Sequence, residues 1–188
     1  ITVSKDILFE QYDNNLDVSY EVFVKDTVVR IVSKLAPPWV VKPITSGSSV
    51  GVSIVDKATG LYDVLVELLD NSTVLVEEYI AGKEGTVGVL NNFRNQEIYP
   101  FLPIEIRTPK AKFFDFESKY NGEAQEISPG NFSIQEKKVM QDYAIAIHKG
   151  IGLRDYSRSD FIVGKNDKIY FLEVNNLPGL TTESLLPK

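Results

Sequence analysis

The sequence contains no cysteine and only one histidine, His148. Without cysteine the chain can form no disulfide, no thiolate zinc site and no cysteine nucleophile. A single histidine excludes histidine-rich metal sites and disfavours a Ser-His-Asp triad. His148 falls within a helical pattern at residues 133–150, which predicts a partly buried structural role for it. Any site chemistry must therefore come from carboxylates, amides, hydroxyls, lysine and arginine.

The chain also lacks a long apolar run and an excess of basic residues. It has no signal-peptide pattern and no run of about 18 apolar residues, so we predict a cytoplasmic protein without a membrane partner. Its 26 acidic and 20 basic residues give a net charge of −6. This balance argues against nucleic-acid binding, which needs a basic face. A local lysine with a divalent cation can still bind a nucleotide.

Apolar residues make up 43% of the 188 residues, enough to bury a core in one large domain or two small lobes. Their spacing predicts helices at residues 4–12, 26–35, 57–69 and 135–147. It predicts strands at residues 18–24, 39–43, 52–55, 74–80, 86–90, 97–101 and 102–106. Such a strand-rich middle predicts an α+β fold with an antiparallel sheet.

A hairpin is predicted near the end of the sequence. Two apolar runs, Asp160–Val163 and Ile169–Val174, flank a turn of glycine and polar residues. Because alternate residues of a strand share a face, Arg158 and Asp160 point the same way, as do Glu173 and Asn175. If the two faces coincide, their carboxylates, amide and guanidinium suit Mg²⁺ and a polyphosphate. The alternative is a solvated hairpin with ordinary exposed charges.

A second candidate feature is the loop of small residues at 44–53, which follows a predicted buried strand ending in Lys42-Pro43. Glycines in such a loop can bring backbone N–H groups close to phosphate oxygens, and Lys42 can add a point charge. The loop lacks the Gly-Lys-Ser/Thr of the P-loop. A flexible hairpin turn is the alternative interpretation.

Three carboxylates, Glu77, Glu78 and Glu84, cluster around a predicted bend. They could bond the amino group and hydroxyls of a nucleoside, with backbone groups near Tyr79 and Ile80 reading the base edge. Ordinary surface charge is the alternative interpretation.

Residues 107–128 are polar, aromatic and without regular periodicity. A segment of this length inside a compact domain favours a functional loop. We interpret it as a mobile lid that carries Lys119 and Tyr120. An inert surface loop is the alternative.

Taken in order, these motifs resemble the D-alanine–D-alanine ligases of the ATP-grasp superfamily, over residues 39–188. The motifs that carry the resemblance are Val41–Pro43, Gly47–Gly51, Glu77–Glu84, Phe114–Tyr120, Arg158–Phe161 and Leu172–Thr181. The resemblance implies an ATP-grasp fold in which two lobes with antiparallel sheets hold ATP between them. It implies a small lobe at residues 39–80, with residues 1–38 and 81–188 forming a larger lobe that carries the lid.

The resemblance also implies a role for each matching residue. Residues implied in binding the ATP phosphates are Lys42, Gly47, Ser49, Gly51 and Lys119. Residues implied in binding adenine and ribose are Glu77, Glu78, Tyr79, Ile80 and Glu84. The lid Tyr120 would bond Ser48 and close the site. Asp160, Glu173 and Asn175 would hold two Mg²⁺ (or Mn²⁺) ions.

Arg158 would stabilise the oxyanion, and Gly179 and Ser184 would contact the second amino acid. The implied reaction joins two D-alanine molecules through an acylphosphate, for peptidoglycan synthesis in the cell wall. Two alternatives are an ATP-grasp ligase with another amino acid substrate and a non-catalytic Mg·ATP-binding domain. The family's N-terminal domain of about a hundred residues, which binds the first D-alanine, is missing from the sequence. The expectation is a fragment, a proteolysed product or a naturally short protein. The resemblance also implies a homodimer, an interface that the missing domain could carry.

Overall fold

The computed structural model describes residues 1–45, 50–107, 125–181, 184 and 186. These residues divide into two compact units. The smaller unit comprises residues 4–45 and 50–79, and the larger comprises residues 1–3, 80–107 and 125–181 with Ser184 and Leu186. Residues 4–38 belong to the smaller unit.

The smaller unit is a four-stranded antiparallel sheet with two helices. Its strands are β1 (Asp6–Phe9), β2 (Trp39–Pro43), β3 (Ser53–Val55) and β4 (Val74–Glu78), in the order β1-β4-β2-β3. Its helices are α1 (Tyr20–Lys34) and α2 (Ala58–Leu68), which pack against each other. Trp39 is buried in the core and its indole Nε1 donates to the carbonyl oxygen of Leu35 at 3.0 Å.

Two predictions for the start of the chain were wrong. Residues 4–12 do not form a helix, because Asp6–Phe9 pair with β4 and become an edge strand. Residues 18–24 do not form a strand, because Ser19 caps α1 and its side chain accepts a hydrogen bond from the Val22 N–H. At the first place a tertiary contact outweighs the local pattern, and at the second a local helix cap does.

The larger unit is a six-stranded antiparallel sheet covered by one long helix. The strands are β5 (Lys83–Phe93), β6 (Gln96–Pro100), β7 (Ile104–Arg107), β8 (Gln125–Ile127), β9 (Tyr156–Val163) and β10 (Ile169–Asn175). The order is β10-β9-β5-β7-β8, and β6 pairs with β5 off this path. The two antiparallel sheets with their helices confirm the predicted α+β class.

Helix α3 (Ile134–Gly150) packs on this sheet against β5, β6, β9 and β10. It begins at a capping box, in which Ser133 and Glu136 satisfy each other's backbone N–H groups. Its buried residues Met140, Ala144 and Ile147 lie at helical spacing and pack with Phe161 of β9 in one core cluster. This packing holds β9, the strand that carries Arg158 and Asp160. Among the described residues, no helix is long and apolar enough to cross a lipid bilayer.

His148 is buried as predicted, with 1% of its surface exposed at the inner side of α3. Its Nδ1 lies 2.8 Å from the Ser157 hydroxyl, and its Nε2 has no hydrogen-bond partner among the described residues. Burial lowers the pKa of His148, because the charged imidazolium cannot be solvated there. The imidazole is therefore neutral in the folded protein near neutral pH.

We expect stability to fall as the pH drops below the histidine pKa of the unfolded chain, about 6.5. The unfolded chain then binds a proton that folded His148 resists, which favours unfolding. Denaturant unfolding of wild type and His148→Asn at pH 7.5 and 5.5 measures this effect. The wild type should lose more unfolding free energy between the two pH values than His148→Asn does. Equal losses would show that His148 does not titrate on unfolding.

Candidate active site

The hairpin of β9 and β10 brings the predicted acidic and basic side chains together. Its register pairs Glu173 with Asp160 and Asn175 with Arg158. A register shift between Phe171 and Glu173 marks a bulge in β10. The bulge supplies the one-residue offset by which Glu173 and Asn175 share a face with Arg158 and Asp160. The predicted hairpin and the shared face are therefore both confirmed.

Asp160 is the centre of this face and is only 8% exposed. Arg158 donates to both carboxylate oxygens, from Nε to Oδ1 at 3.0 Å and from Nη2 to Oδ2 at 3.0 Å. The amide Nδ2 of Asn175 donates to Oδ2 at 3.2 Å, and the hydroxyl of Thr86 donates to Oδ1 at 2.5 Å. A buried carboxylate with four donors is fixed in position.

Arg158 is held as a cation by the same network. Burial alone would lower the pKa of its guanidinium, but hydrogen bonding to Asp160 and the charges of Asp160, Glu173 and Glu84 raise that pKa above its usual value. The bidentate bond to Asp160 fixes the plane of the guanidinium. Arg158 also lines a cavity of about 240 Å³ with Thr86, Gly88 and Ile104. The guanidinium is thus an oriented positive group at a cavity wall.

The oxygen atoms on this face fit a hard divalent cation. Asp160 and Glu173 offer carboxylates, Asn175 offers an amide oxygen, and Glu173 is exposed and so open to a ligand. Asn175 Nδ2 also lies 3.3 Å from Glu173 Oε1, so the three groups are within reach of one another. Within the described residues no group of three or more His, Cys, Asp or Glu side chains is placed to hold a metal ion.

The smaller unit carries the other predicted nucleotide contacts. Lys42 of β2 forms an ion pair with Glu77 of β4, and the Ser4 hydroxyl donates to the same carboxylate at 2.8 Å. Glu78 lies on the opposite face of β4, as strand alternation requires, and accepts from the Lys5 N–H at 3.1 Å. The predicted cluster therefore separates, with Glu77 and Glu78 on opposite faces of one strand.

The backbone near Tyr79 is partly engaged. The Tyr79 N–H donates to the carbonyl oxygen of Pro38 at 3.0 Å, so this N–H is not open to read a base edge. Burial raises the pKa of the Tyr79 hydroxyl. Ile80 follows at the start of the larger unit, which also contains Glu84 on β5.

The loop of small residues is described only at its two ends. Gly51 has φ +74°, and a Cβ added there would lie 3.0 Å from the Pro43 ring, so the position requires glycine. Gly47, Ser48 and Ser49, with Lys119 and Tyr120 of the predicted lid, lie outside the described residues. Their roles stay predictions.

Gly179 and Ser184, the predicted contacts for the second amino acid, lie together. A Cβ added to Gly179 would come within 2.5 Å of the Ser184 hydroxyl oxygen. Ser184 is held in a turn, since its N–H donates to the Thr181 carbonyl oxygen at 2.9 Å. A side chain at position 179 would therefore displace the Ser184 hydroxyl.

Sequence reasoning missed Ser4 and Thr86. Thr86 stands opposite Asp160 in the β5–β9 register and is 2% exposed. The only signal in the sequence was a threonine in an apolar strand, which is ordinary for a strand. Its contact with Asp160 follows from long-range strand pairing, which local periodicity cannot supply.

A family model and several known proteins match this chain over most of its length. A family model described as the D-ala D-ala ligase C-terminus matches residues 7–188. A D-alanine–D-alanine ligase of Trichlorobacter lovleyi is 44% identical over 153 residues, covering 80% of this chain and 47% of the relative. One from Flavobacterium johnsoniae is 33% identical over 185 residues, covering 96% of this chain and 56% of the relative. The chain thus spans about half the length of these relatives.

Solved structures agree in fold. The VanG D-Ala:D-Ser ligase from Enterococcus faecalis superposes on the whole chain with a TM-score of 0.77 at 28% identity, over 51% of its own length. The D-alanine–D-alanine ligase from Bacillus anthracis, solved in complex with ATP, gives a TM-score of 0.69 at 26% identity, with 100% of this chain and 53% of that one covered.

Proposed function

Because this chain belongs to the D-alanine–D-alanine ligase family, which has the ATP-grasp fold, we propose that it supplies the Mg·ATP-binding and bond-forming part of such a ligase. The reaction is an ATP-dependent carboxylate–amine ligation that gives a D-alanyl-D-alanine-type dipeptide through an acylphosphate. The observation that carries the proposal is the network in which Arg158, Asn175 and Thr86 all bond Asp160.

The proposed metal ligands are Asp160, Glu173 and Asn175, for two Mg²⁺ or Mn²⁺ ions. When bound, these ions neutralise phosphate charge, which is most of what phosphoryl transfer requires of a protein. Asp160 contributes a carboxylate whose position is already fixed by its hydrogen-bond donors. Glu173 contributes an exposed carboxylate that a second ion can reach.

Arg158 is the proposed oxyanion stabiliser. The carboxylate of the first amino acid attacks the γ-phosphate of ATP, and the amine of the second then displaces phosphate from the acyl carbon. Negative charge develops on the acyl oxygen during this second step, and a fixed guanidinium stabilises that charge more than it stabilises the neutral carbonyl. Asp160 orients Arg158 for this role.

Lys42 and Glu77 are the proposed nucleotide contacts of the smaller unit, with Lys42 on the phosphates and Glu77 on adenine. They form an ion pair with each other in this structure, so ATP would exchange one charge partner for another. The further proposed contacts for phosphate, nucleoside and lid closure are Gly47, Ser48, Ser49, Gly51, Glu78, Tyr79, Ile80, Glu84, Lys119 and Tyr120. Gly179 and Ser184 are proposed to bind the carboxylate of the second amino acid.

A second candidate is a ligase with a different acceptor, favoured by the similarity to a D-Ala:D-Ser ligase. A third is a Mg·ATP-binding module that does not turn over by itself, since the chain spans about half of its relatives. The cytoplasmic location, the homodimer and the absence of nucleic-acid partners stay predictions from the sequence.

The test is ADP release from Mg·ATP by this chain with D-alanine, D-serine or L-alanine, beside an Asp160→Asn/Glu173→Gln double variant. We expect release that depends on a D-amino acid and is absent from the double variant. Faster release with D-serine than with D-alanine would identify the second candidate. Binding of Mg·ATP without release would identify the third, and failure to bind Mg·ATP would contradict all three.

A further inference from the structure

Thr86 belongs to the central strand β5, directly opposite Asp160 of β9. Residues opposite each other on neighbouring strands have their side chains on the same face. The Thr86 hydroxyl oxygen lies 2.5 Å from Asp160 Oδ1 and 3.3 Å from the Ser159 carbonyl oxygen. Because the nearer acceptor is also the charged one, the hydroxyl proton goes to Asp160.

We propose that Thr86 is a positioning residue, which selects the oxygen of Asp160 that binds the divalent cation. The inference rests on the proposed function, because it concerns the same cation. Each oxygen of Asp160 has two donors, Thr86 and Arg158 Nε at Oδ1, and Arg158 Nη2 and Asn175 at Oδ2. A cation must therefore displace one donor before it can bind this carboxylate.

The donor that gives way is the amide of Asn175. Its bond is the longest of the four, at 3.2 Å. When the Asn175 side-chain amide rotates by about half a turn, its NH₂ leaves Oδ2 and its carbonyl oxygen faces the cation. Asn175 then changes from a competitor into a ligand. Thr86 gives way less readily, because its bond to Oδ1 is the shortest of the four, at 2.5 Å, and its β-branched side chain has few χ1 choices.

Thr86 and Arg158 together therefore keep Oδ1 occupied and leave Oδ2 for the cation. Without the hydroxyl, Oδ1 loses its shortest bond and keeps only the Nε donor of Arg158, so the carboxylate is held less firmly against rotation about its Cβ–Cγ bond. A rotating carboxylate presents either oxygen, or both, so the coordination geometry is no longer unique. Groups that orient a ligand in this way typically change metal affinity by about 10–100-fold.

Two substitutions of Thr86 separate the effect of its hydroxyl from the effect of its side-chain packing, and a third variant is the control. Thr86→Val keeps the shape of the side chain and removes the hydroxyl, whereas Thr86→Ser keeps the hydroxyl. The matched control is Thr27→Val in α1, which is 1% exposed and loses a hydroxyl bond of 2.9 Å to the Phe23 carbonyl oxygen. This control removes a comparable buried hydrogen bond from the other unit.

The measurement is Mn²⁺ binding to the whole chain in the presence of the non-hydrolysable ATP analogue AMP-PNP, monitored by electron paramagnetic resonance. We expect Thr86→Val to weaken Mn²⁺ binding by about tenfold or more. Thr86→Ser should recover most of the affinity, and Thr27→Val should bind like the wild type. Thermal unfolding without metal should show a lower melting temperature for both valine variants than for the wild type.

The outcomes distinguish this inference from the proposed function. If the wild type binds no Mn²⁺ with AMP-PNP, the proposed function is contradicted and the inference falls with it. If the wild type binds and Thr86→Val binds equally well, only the role of Thr86 is wrong. Equal weakening in Thr86→Val and Thr86→Ser, or in Thr86→Val and Thr27→Val, would also overturn that role, because packing or general destabilisation would then explain the loss.

Discussion

Replacing Asp160 with asparagine should lower the affinity of this chain for Mg·AMP-PNP by about a hundredfold or more. Groups around a metal ligand already change metal affinity by about 10–100-fold, and this substitution removes the charge of a ligand itself. The asparagine also cannot accept both bonds of the Arg158 guanidinium, so the proposed catalytic cation loses its orientation. Isothermal titration calorimetry of wild type and variant, each at fixed excess Mg²⁺, measures the change.

The control for Asp160 is Asp142→Asn, which removes a carboxylate that is ion-paired with Lys138 on the outer face of α3. This pair is exposed, so its loss should affect neither folding nor nucleotide affinity by a measurable amount. Thermal unfolding should show that both variants are folded at the titration temperature. Equal affinities of Asp160→Asn and Asp142→Asn for Mg·AMP-PNP would contradict a metal site at the hairpin.

Replacing Arg158 with lysine should reduce the rate of D-alanine-dependent ADP release by about 10²–10³-fold, while Mg·AMP-PNP affinity changes much less. A lysine keeps the charge but cannot bond both oxygens of Asp160, so its ammonium is not held where the oxyanion develops. The loss should appear in kcat, because the interaction is made in the transition state.

The control for Arg158 is Arg154→Lys, which changes an exposed arginine shortly before β9. Rates for the two variants are compared at saturating ATP and D-alanine, together with their nucleotide affinities from calorimetry. An Arg158→Lys variant that loses affinity in proportion to its rate would mean that Arg158 serves binding alone. A variant with wild-type kcat would remove Arg158 from the mechanism.

The hairpin face was predictable because its information is local. Arg158 and Asp160 are two residues apart, as are Glu173 and Asn175, and the turn between the strands is short, so strand alternation is nearly sufficient to group them. The alternation of residues along a strand does not predict the bulge between Phe171 and Glu173. Without this bulge the register would pair Asp160 with Leu172 and Arg158 with Val174, so the bulge decides which residues meet.

The start of the chain was not predictable in the same way. Asp6–Phe9 form a strand only because β4 pairs with them, from a segment about 70 residues further along the chain. Two hydroxyl contacts were missed for the same reason, because each joins residues far apart in the sequence. The Ser4 hydroxyl contacts Glu77, 73 residues away, and the Thr86 hydroxyl contacts Asp160, 74 residues away. Motif matching assigned Lys42 and Glu77 separately and could not foresee that they bond each other.

The most direct test of the proposed metal site is a crystal structure of the chain grown with Mn²⁺ and AMP-PNP, with anomalous diffraction collected to locate the metal. We expect anomalous peaks at the hairpin, with Asp160 Oδ2, Glu173 and the carbonyl oxygen of Asn175 as ligands, and with the Thr86–Asp160 bond intact. The nucleotide phosphates should complete the coordination. Manganese bound elsewhere in the chain, or phosphates remote from Asp160, would contradict the proposed metal site.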